Sequence, residues 1–243
     1  MIFLFKLARK IFRIVNSMFY YPFSRLLFFL NGCEIDARGL KVNGYMKVDV
    51  TRRGKVMIGN NLKVNSGDNH NVIGRQQKTI LWVEGVLIIG NNVGLSSTAI
   101  ICNHKIIIED NVLIGGGVCI YDTDFHNLDS TMRMDIKNDK VSAKKEAVIL
   151  KRNAFIGAHS TILKGVTVGE NAIVGACSLV SKDIPANEIW AGNPAKFIKH
   201  IKHLTSVVLP FPIPVANTAW TDALGKHQLF INSSQNLYFF PLS

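Results

Sequence analysis

Residues 156–180 read IGAHSTILKGVTVGENAIVGACSLV, a stretch that returns an aliphatic side chain to the same place every six residues. Extended in both directions, the register holds Leu150, Ile156, Ile162, Val168, Val174 and Val180. Four positions beyond each of these stand Ala154, Ser160, Val166, Ala172, Ser178 and Ile184. A step of six suits neither a helix, with about 3.6 residues per turn, nor the simple alternation of a half-buried strand. It suits a parallel β-helix whose short strands meet at corners, with the aliphatic residue pointing inward and the small one fitting the turn.

The same step recurs at Ile108, Ile114 and Ile120, and again at Ile89, Leu95 and Ile101. Val42 with Val48, and Ile58 with Val64, carry it towards the N-terminus. One coil cannot bury its own apolar face, so the coils must stack into a continuous solenoid. The expected organisation is an all-β solenoid over residues 34–200, interrupted by a loop over 121–149, preceded by a segment over 1–33 and followed by a tail over 201–243. Composition agrees: with 48% hydrophobic residues and 19 glycines against 7 prolines, the chain is neither disordered nor collagen-like. A formal charge of +11 calls for an anionic partner, but no zinc-finger spacing or aromatic RNA-binding signature accompanies it. Nucleic acid is therefore not expected, which leaves a membrane surface and a phosphorylated cosubstrate. Cys33, Cys102, Cys119 and Cys177 form no C-x-x-C pair and read as reduced, mostly buried small hydrophobes.

The hexapeptide pattern, together with EDNVLIGGG (109–117), YDTDFH (121–126), the run 155–185 and AGNPAKFIK (191–199), resembles the hexapeptide-repeat acyltransferases. The likeness is greatest to sugar and polysaccharide O-acetyltransferases of the maltose and galactoside acetyltransferase group. It implies a left-handed β-helix, a handedness that the period alone does not specify. It also implies an acetyl-CoA donor, a homotrimer with cofactor grooves between subunits, and a histidine as general base. His126 matches that histidine. A neutral imidazole, with an ordinary pKa of about 6.5, can take the proton that a sugar hydroxyl must lose to attack a thioester. Asp122 and Asp124 flank the loop entry and can either orient the imidazole or close local turns. His104 and Asn103, at a corner of the preceding coil, can line an acceptor pocket or simply form the corner. His70 and His159 read as exposed corner residues. No Ser or Cys stands in a recognisable nucleophile setting, so direct transfer is expected, with backbone N–H groups at a corner stabilising the oxyanion.

By the same resemblance Ala158 and Ala176 lie along the pantetheine arm, and Ser181, Lys182, Lys196 and Lys199 lie near the phosphorylated nucleotide end. Lysine suits that role as a mobile point charge on phosphate. No metal is expected, because the H-x-x-x-x-H pair of the carbonic-anhydrase-like relatives is absent.

Residues 1–33 carry five basic residues and no acidic one. Lys6, Arg9, Lys10, Arg13, Asn16 and Ser17 fall at helical spacing on one face, with Phe3, Leu4, Leu7, Ile11, Ile14, Val15 and Met18 filling the rest. This is an amphipathic basic helix, with Pro22 permitting a break before FSRLLFFL (23–30). No uninterrupted apolar run approaches the roughly 20 residues of a spanning helix. The segment therefore reads as an in-plane membrane anchor or a helix packed on the trimer. The tail has apolar stretches VVLPFPIPV (207–215) and NLYFFPLS (236–243) and no assigned role. Together these features lead to an O-acetyltransferase acting on a sugar hydroxyl in surface-polysaccharide assembly, peripheral on the cytoplasmic face of the membrane. An amino sugar or serine acceptor, or a noncatalytic scaffold at the membrane, stands as the alternative.

Overall fold

The computed structural model describes residues 1–36, 38–67, 70–71, 77–136, 138–201, 220–221, 227–231 and 237–241, without the side chains of Arg13, Asn16 and Ser17 or of the last three segments. Three parallel sheets form the three faces of one left-handed β-helix. Corresponding positions on the first face are Ile35, Ile58, Ile89, Ile108, Leu150 and Val168. On the second they are Val42, Val64, Leu95, Ile114, Ile156 and Val174. On the third they are Val48, Leu81, Ile100, Ile120, Ile162 and Val180. All but Ile35, which is partly buried, are closed off from solvent, and so are the residues from Ala154 to Ile184 at the fourth positions. Both sets thus point into the core, and the smaller one relieves crowding near the corners.

One position departs from the expected register. Ile100, not Ile101, is the inward residue of its strand, pairing with Ile120 while Ile101 pairs with Tyr121. The corner between Leu95 and Ile100 is one residue short of the six-step. The extra length appears after Cys102, where Asn103 and His104 make the next corner.

One corner carries a side-chain ladder. Asn61, Asn92, Asn111, Asn153, Asn171 and Asn187 all adopt left-handed backbone, with φ between 56° and 61°. Asparagine tolerates this region better than most residues. Each Nδ2 donates to the Oδ1 of the next, at 2.9, 3.0, 3.1, 2.9 and 2.9 Å along the series.

Helix α1 (Ile2–Leu30) precedes the solenoid and runs through Pro22 rather than breaking there. Pro22 removes one intrahelical bond, but the following turns are held: Ser24 and Phe28 are buried, and Phe28 joins the solenoid core. Gly32, at φ 66°, ends the helix, with the amides of Gly32 and Cys33 donating to the carbonyls of Phe29 and Phe28. Asn31 ties this end to the first coil by accepting from the Val50 amide at 3.0 Å. At the other end, strand Glu188–Ala191 extends the second face and pairs antiparallel with Lys196–His200.

The chain divides into two compact units, Met1–Lys202 and His203–Ser243. In the second, Trp220–Thr221, His227–Ile231 and Leu237–Pro241 form an antiparallel sheet that the sequence reading did not foresee. The stretch 207–215 lies outside the described residues.

Candidate active site

The polar segment after Ile120 leaves the solenoid through a pinched neck. Thr123 bridges Lys145 in antiparallel fashion, the Asp124 amide donates to the Lys144 carbonyl, and the Glu146 amide donates to the Asp122 carbonyl. Beyond the neck the loop is organised by two short helices, α2 (Ser130–Met134) and α3 (Asp139–Ser142). Asp129 caps α2 by accepting from the amides of Thr131 and Met132. Arg133 returns from α2 to donate to the carbonyls of Asn127 and Leu128, and Asn127 Nδ2 donates to Ser142 Oγ. His126 is thereby held from both helices.

The imidazole itself is fixed by Asp139. Nδ1 of His126 lies 2.6 Å from Asp139 Oδ2, while the Asn127 amide donates to Oδ1 of the same carboxylate at 2.7 Å. The His126 side chain is 60% exposed and that of Asp139 only 9%, so the pair has its anchor inside and its ring in the open. The His126 ring N–H, and after it the Asn127 amide, hold the Asp139 carboxyl below the ordinary carboxylate range. A charged carboxylate at Nδ1 favours the tautomer with its proton on that nitrogen, which leaves the Nε2 lone pair facing solvent. Immediately before it, Phe125 takes φ 64°, uncommon for a bulky residue, and sets its ring edge-on to Tyr121 at 5.3 Å.

Neither Asp122 nor Asp124 holds the imidazole. Asp122 is fully buried and spends both oxygens on the preceding coil, accepting from the amides of Asn103 at 2.7 Å and His104 at 2.8 Å. It is the strut that shapes the long corner. Asp124 pairs with Lys164 at 2.7 Å and leaves its buried Oδ2 without a protein partner. Asn103 likewise has a buried Oδ1 without one. Sequence reasoning missed Asp139, Asn127 and Lys164. Asp139 stands thirteen positions from His126 among other acids, and nothing in the spacing marks it.

Ala158 and Ala176 occupy successive corners of another edge. A Cβ on Gly115 would come within 2.7 Å of the Ala158 nitrogen, and one on Gly157 within 2.5 Å of the Ala176 nitrogen. Glycine at these positions lets the coils meet closely, leaving Ala158 half-buried and Ala176 exposed beside the left-handed corners of His159 and Cys177. His159 and His70 are half-buried rather than exposed. Ser181 and Lys182 are exposed just past strand Leu179–Val180, and Lys196 and Lys199 are exposed on the final antiparallel strand. The turn between strands Glu188–Ala191 and Lys196–His200 packs back on Leu179, whose amide donates to the Gly192 carbonyl and whose carbonyl accepts from the Ala195 amide. All four belong to the last coil and its extension.

The cysteines are free; Cys102 is buried, Cys33 and Cys119 are half-buried, and Cys177 is exposed. Burial pushes the Cys33 thiol up to about 11, and burial and then Asp122 push Cys102 up as well, so neither is a thiolate near neutrality. Among the described residues no group of three His, Cys, Asp or Glu side chains is placed to hold a metal ion.

Residues 147–182 match the model for bacterial transferase hexapeptide (six repeats). The chain resembles the hexapeptide-repeat transferases. It is 36% identical over 102 residues to galactoside O-acetyltransferase of Escherichia coli (strain K12), covering 42% of this chain and 47% of that relative. The chain thus spans about half the length of this relative. It is 29% identical over 154 residues to WbbJ of the same strain, assigned as a lipopolysaccharide biosynthesis O-acetyl transferase, covering 62% of this chain and 78% of the relative. Among solved structures it is similar to a variant of AntD, an N-acyltransferase from Bacillus cereus in complex with dTDP and coenzyme A. The TM-score is 0.52 at 25% identity, over 70% of this chain and 84% of the other. The hexapeptide match ends at Lys182, so it contains Ala158, Ala176 and Ser181 but neither His126 nor Lys196.

Proposed function

We propose that the chain is an acetyl-CoA-dependent O-acetyltransferase that acetylates a sugar hydroxyl by direct transfer, with His126 as general base and Asp139 as its positioning partner. The observation that carries this reading is the 2.6 Å contact between an exposed imidazole and a nearly buried carboxylate, on a loop braced by its own helices. A surface histidine with no chemical task would gain little from such an anchor.

In the proposed reaction His126 Nε2 takes the proton of the acceptor hydroxyl as its oxygen attacks the acetyl carbonyl carbon. A C–O bond forms, the tetrahedral intermediate collapses with cleavage of the C–S bond, and the leaving thiolate recovers the proton from the imidazolium. Asp139 remains charged throughout, holding the ring and stabilising its cationic form. The closely packed corner at Ala158 and Ala176 offers a path without bulky side chains for the pantetheine arm, and Ser181, Lys182, Lys196 and Lys199 offer polar and cationic groups for the nucleotide end. Asn103, at the long corner, and Asp124, at the loop entry, are the candidates to line the acceptor site.

The names of the two Escherichia coli relatives support a saccharide acceptor and a role in polysaccharide assembly. The corner of Ala158 and Ala176 keeps accessible surface on a single chain, which supports its completion by neighbours in a homotrimer. The basic, apolar α1 supports placement on the inner surface of the cytoplasmic membrane; no helix among the described residues is long and apolar enough to cross one. One observation favours a second reading: AntD is an N-acyltransferase bound to dTDP, which brings an amino group on a nucleotide-linked sugar into consideration. Release of thiol from acetyl-CoA, measured with hexoses, amino sugars, nucleotide sugars and lipid-linked saccharides, separates these cases. Release that depends on a hydroxyl-bearing saccharide supports O-acetylation, and release confined to amino sugars replaces it with N-acetylation. Coenzyme A binding without any acceptor-dependent release, or no binding at all, overturns the reading in favour of a scaffold.

A further inference from the structure

Helix α1 shows two different uses of one face. Tyr20, Ser24, Leu27 and Phe28 seat it on the first coil: Ser24 and Phe28 are buried, and Tyr20 meets Tyr45 edge-on at 5.0 Å. Lys6, Arg9 and Lys10 precede Ser24, Leu27 and Phe28 by eighteen residues each. At about 3.6 residues per turn that is five whole turns. The basic side chains therefore leave the helix in the same direction as the side chains that grip the solenoid. On the opposite side Leu4, Ile11, Val15, Met18, Leu26 and Phe29 make one straight apolar stripe, each 52–76% exposed. It runs over about 38 Å, because 25 residues separate its ends at roughly 1.5 Å each, with the exposed Arg25 at its edge.

We propose that this stripe lies in the acyl region of an anionic bilayer, with α1 flat in the interface and the solenoid carried on its water-facing side. The proposal rests on the membrane placement proposed above and is independent of the chemistry at His126. The phase relation is what an in-plane helix requires: the body and Lys6, Arg9 and Lys10 share the side away from the acyl chains, and Arg25, at the edge of the stripe, is long enough to reach lipid phosphates from there. Charge selects lipid over a second copy of the chain. Residues 1–33 hold five basic residues and no acid, so the helix of a second copy offers these side chains no acidic partner, whereas an anionic leaflet attracts them.

The test uses the full chain with vesicles of phosphatidylcholine alone or with about 30% phosphatidylglycerol, comparing wild type, the pair Ile11→Asp and Val15→Asp, and the pair Lys6→Gln and Lys10→Gln. Wild type should sediment with the anionic vesicles. The aspartate pair should lose that binding by about tenfold or more, and the glutamine pair should lose about tenfold of its preference for anionic over neutral vesicles. Two single variants report on depth without disrupting the stripe. Fluorescence of Ile11→Trp should shift to the blue and be quenched by brominated acyl chains, and that of Lys10→Trp should be quenched much less. Failure of wild type to bind, equal binding by the aspartate pair, or equal quenching of the two tryptophan variants overturns the proposal. So does a fall in solution mass of the aspartate pair without lipid, which would assign the stripe to a second copy. Thiol release with a soluble acceptor should be unchanged in the aspartate pair, so loss of membrane binding and loss of the enzymatic reading are recorded separately.

Discussion

At the scale of single residues, the proposed chemistry turns on which carboxylate faces His126. Asp122 and Asp124 are nearer in sequence, but both are committed elsewhere, one to backbone amides and the other to Lys164. Asp139→Asn keeps the size of the side chain while removing its charge, so kcat/KM for thiol release should fall by about 10- to 100-fold, less than on removal of the base itself. The Asp139 carboxyl is depressed in the folded chain, so its contribution to stability is fully present above the unfolded carboxylate pKa of about 3.9 and is lost as pH falls through the lower folded value. The difference in stability between wild type and Asp139→Asn should accordingly shrink as pH falls below about 4. Chemical denaturation at a series of pH values below about 5 checks this; a difference that does not shrink below about 4 would contradict it.

At the scale of elements, the solenoid repeats two independent supports. One is the inward aliphatic column: Ile162→Ala, at a fully buried position, should cost about 2–5 kcal/mol in unfolding free energy. The other is the asparagine ladder. Asn111→Ala loses two amide contacts and forces alanine into left-handed backbone, a cost of about 1–3 kcal/mol. Asn111→Gly relieves the backbone part and should recover about 1 kcal/mol of it. Equal losses for the two substitutions would show that the backbone conformation contributes nothing. The aliphatic column was legible from residues 150–180, because burial imposes the same choice on every coil. The ladder was legible too, in asparagines that stand directly before Leu62, Val93, Val112, Ala154, Ala172 and Glu188, but hydrophobic periodicity passes over polar columns. The slip at Ile100 was not legible, since Ile100 and Ile101 are chemically alike and only the shortened corner distinguishes them. Nor was the partner of His126, because tertiary folding of the loop brings Asp139 back, and local spacing carries no trace of that.

At the scale of the whole molecule, the repeat supplies a rigid post, the loop supplies a held imidazole, and α1 supplies an apolar surface. Ala158 is half-buried and Ala176 exposed on one chain. Assembly into a homotrimer predicts a solution mass of three times 27.0 kDa by light scattering, with activity falling on dilution below the assembly concentration. A monomer with full activity would contradict that assembly. On the proposed reading His126 acts and the solenoid holds. Its most direct test is acceptor-dependent thiol release from acetyl-CoA by His126→Ala beside wild type at matched coenzyme A binding. The variant should lose about 10²- to 10⁴-fold in rate with binding retained; release of thiol at the wild-type rate would rule out His126 as the base.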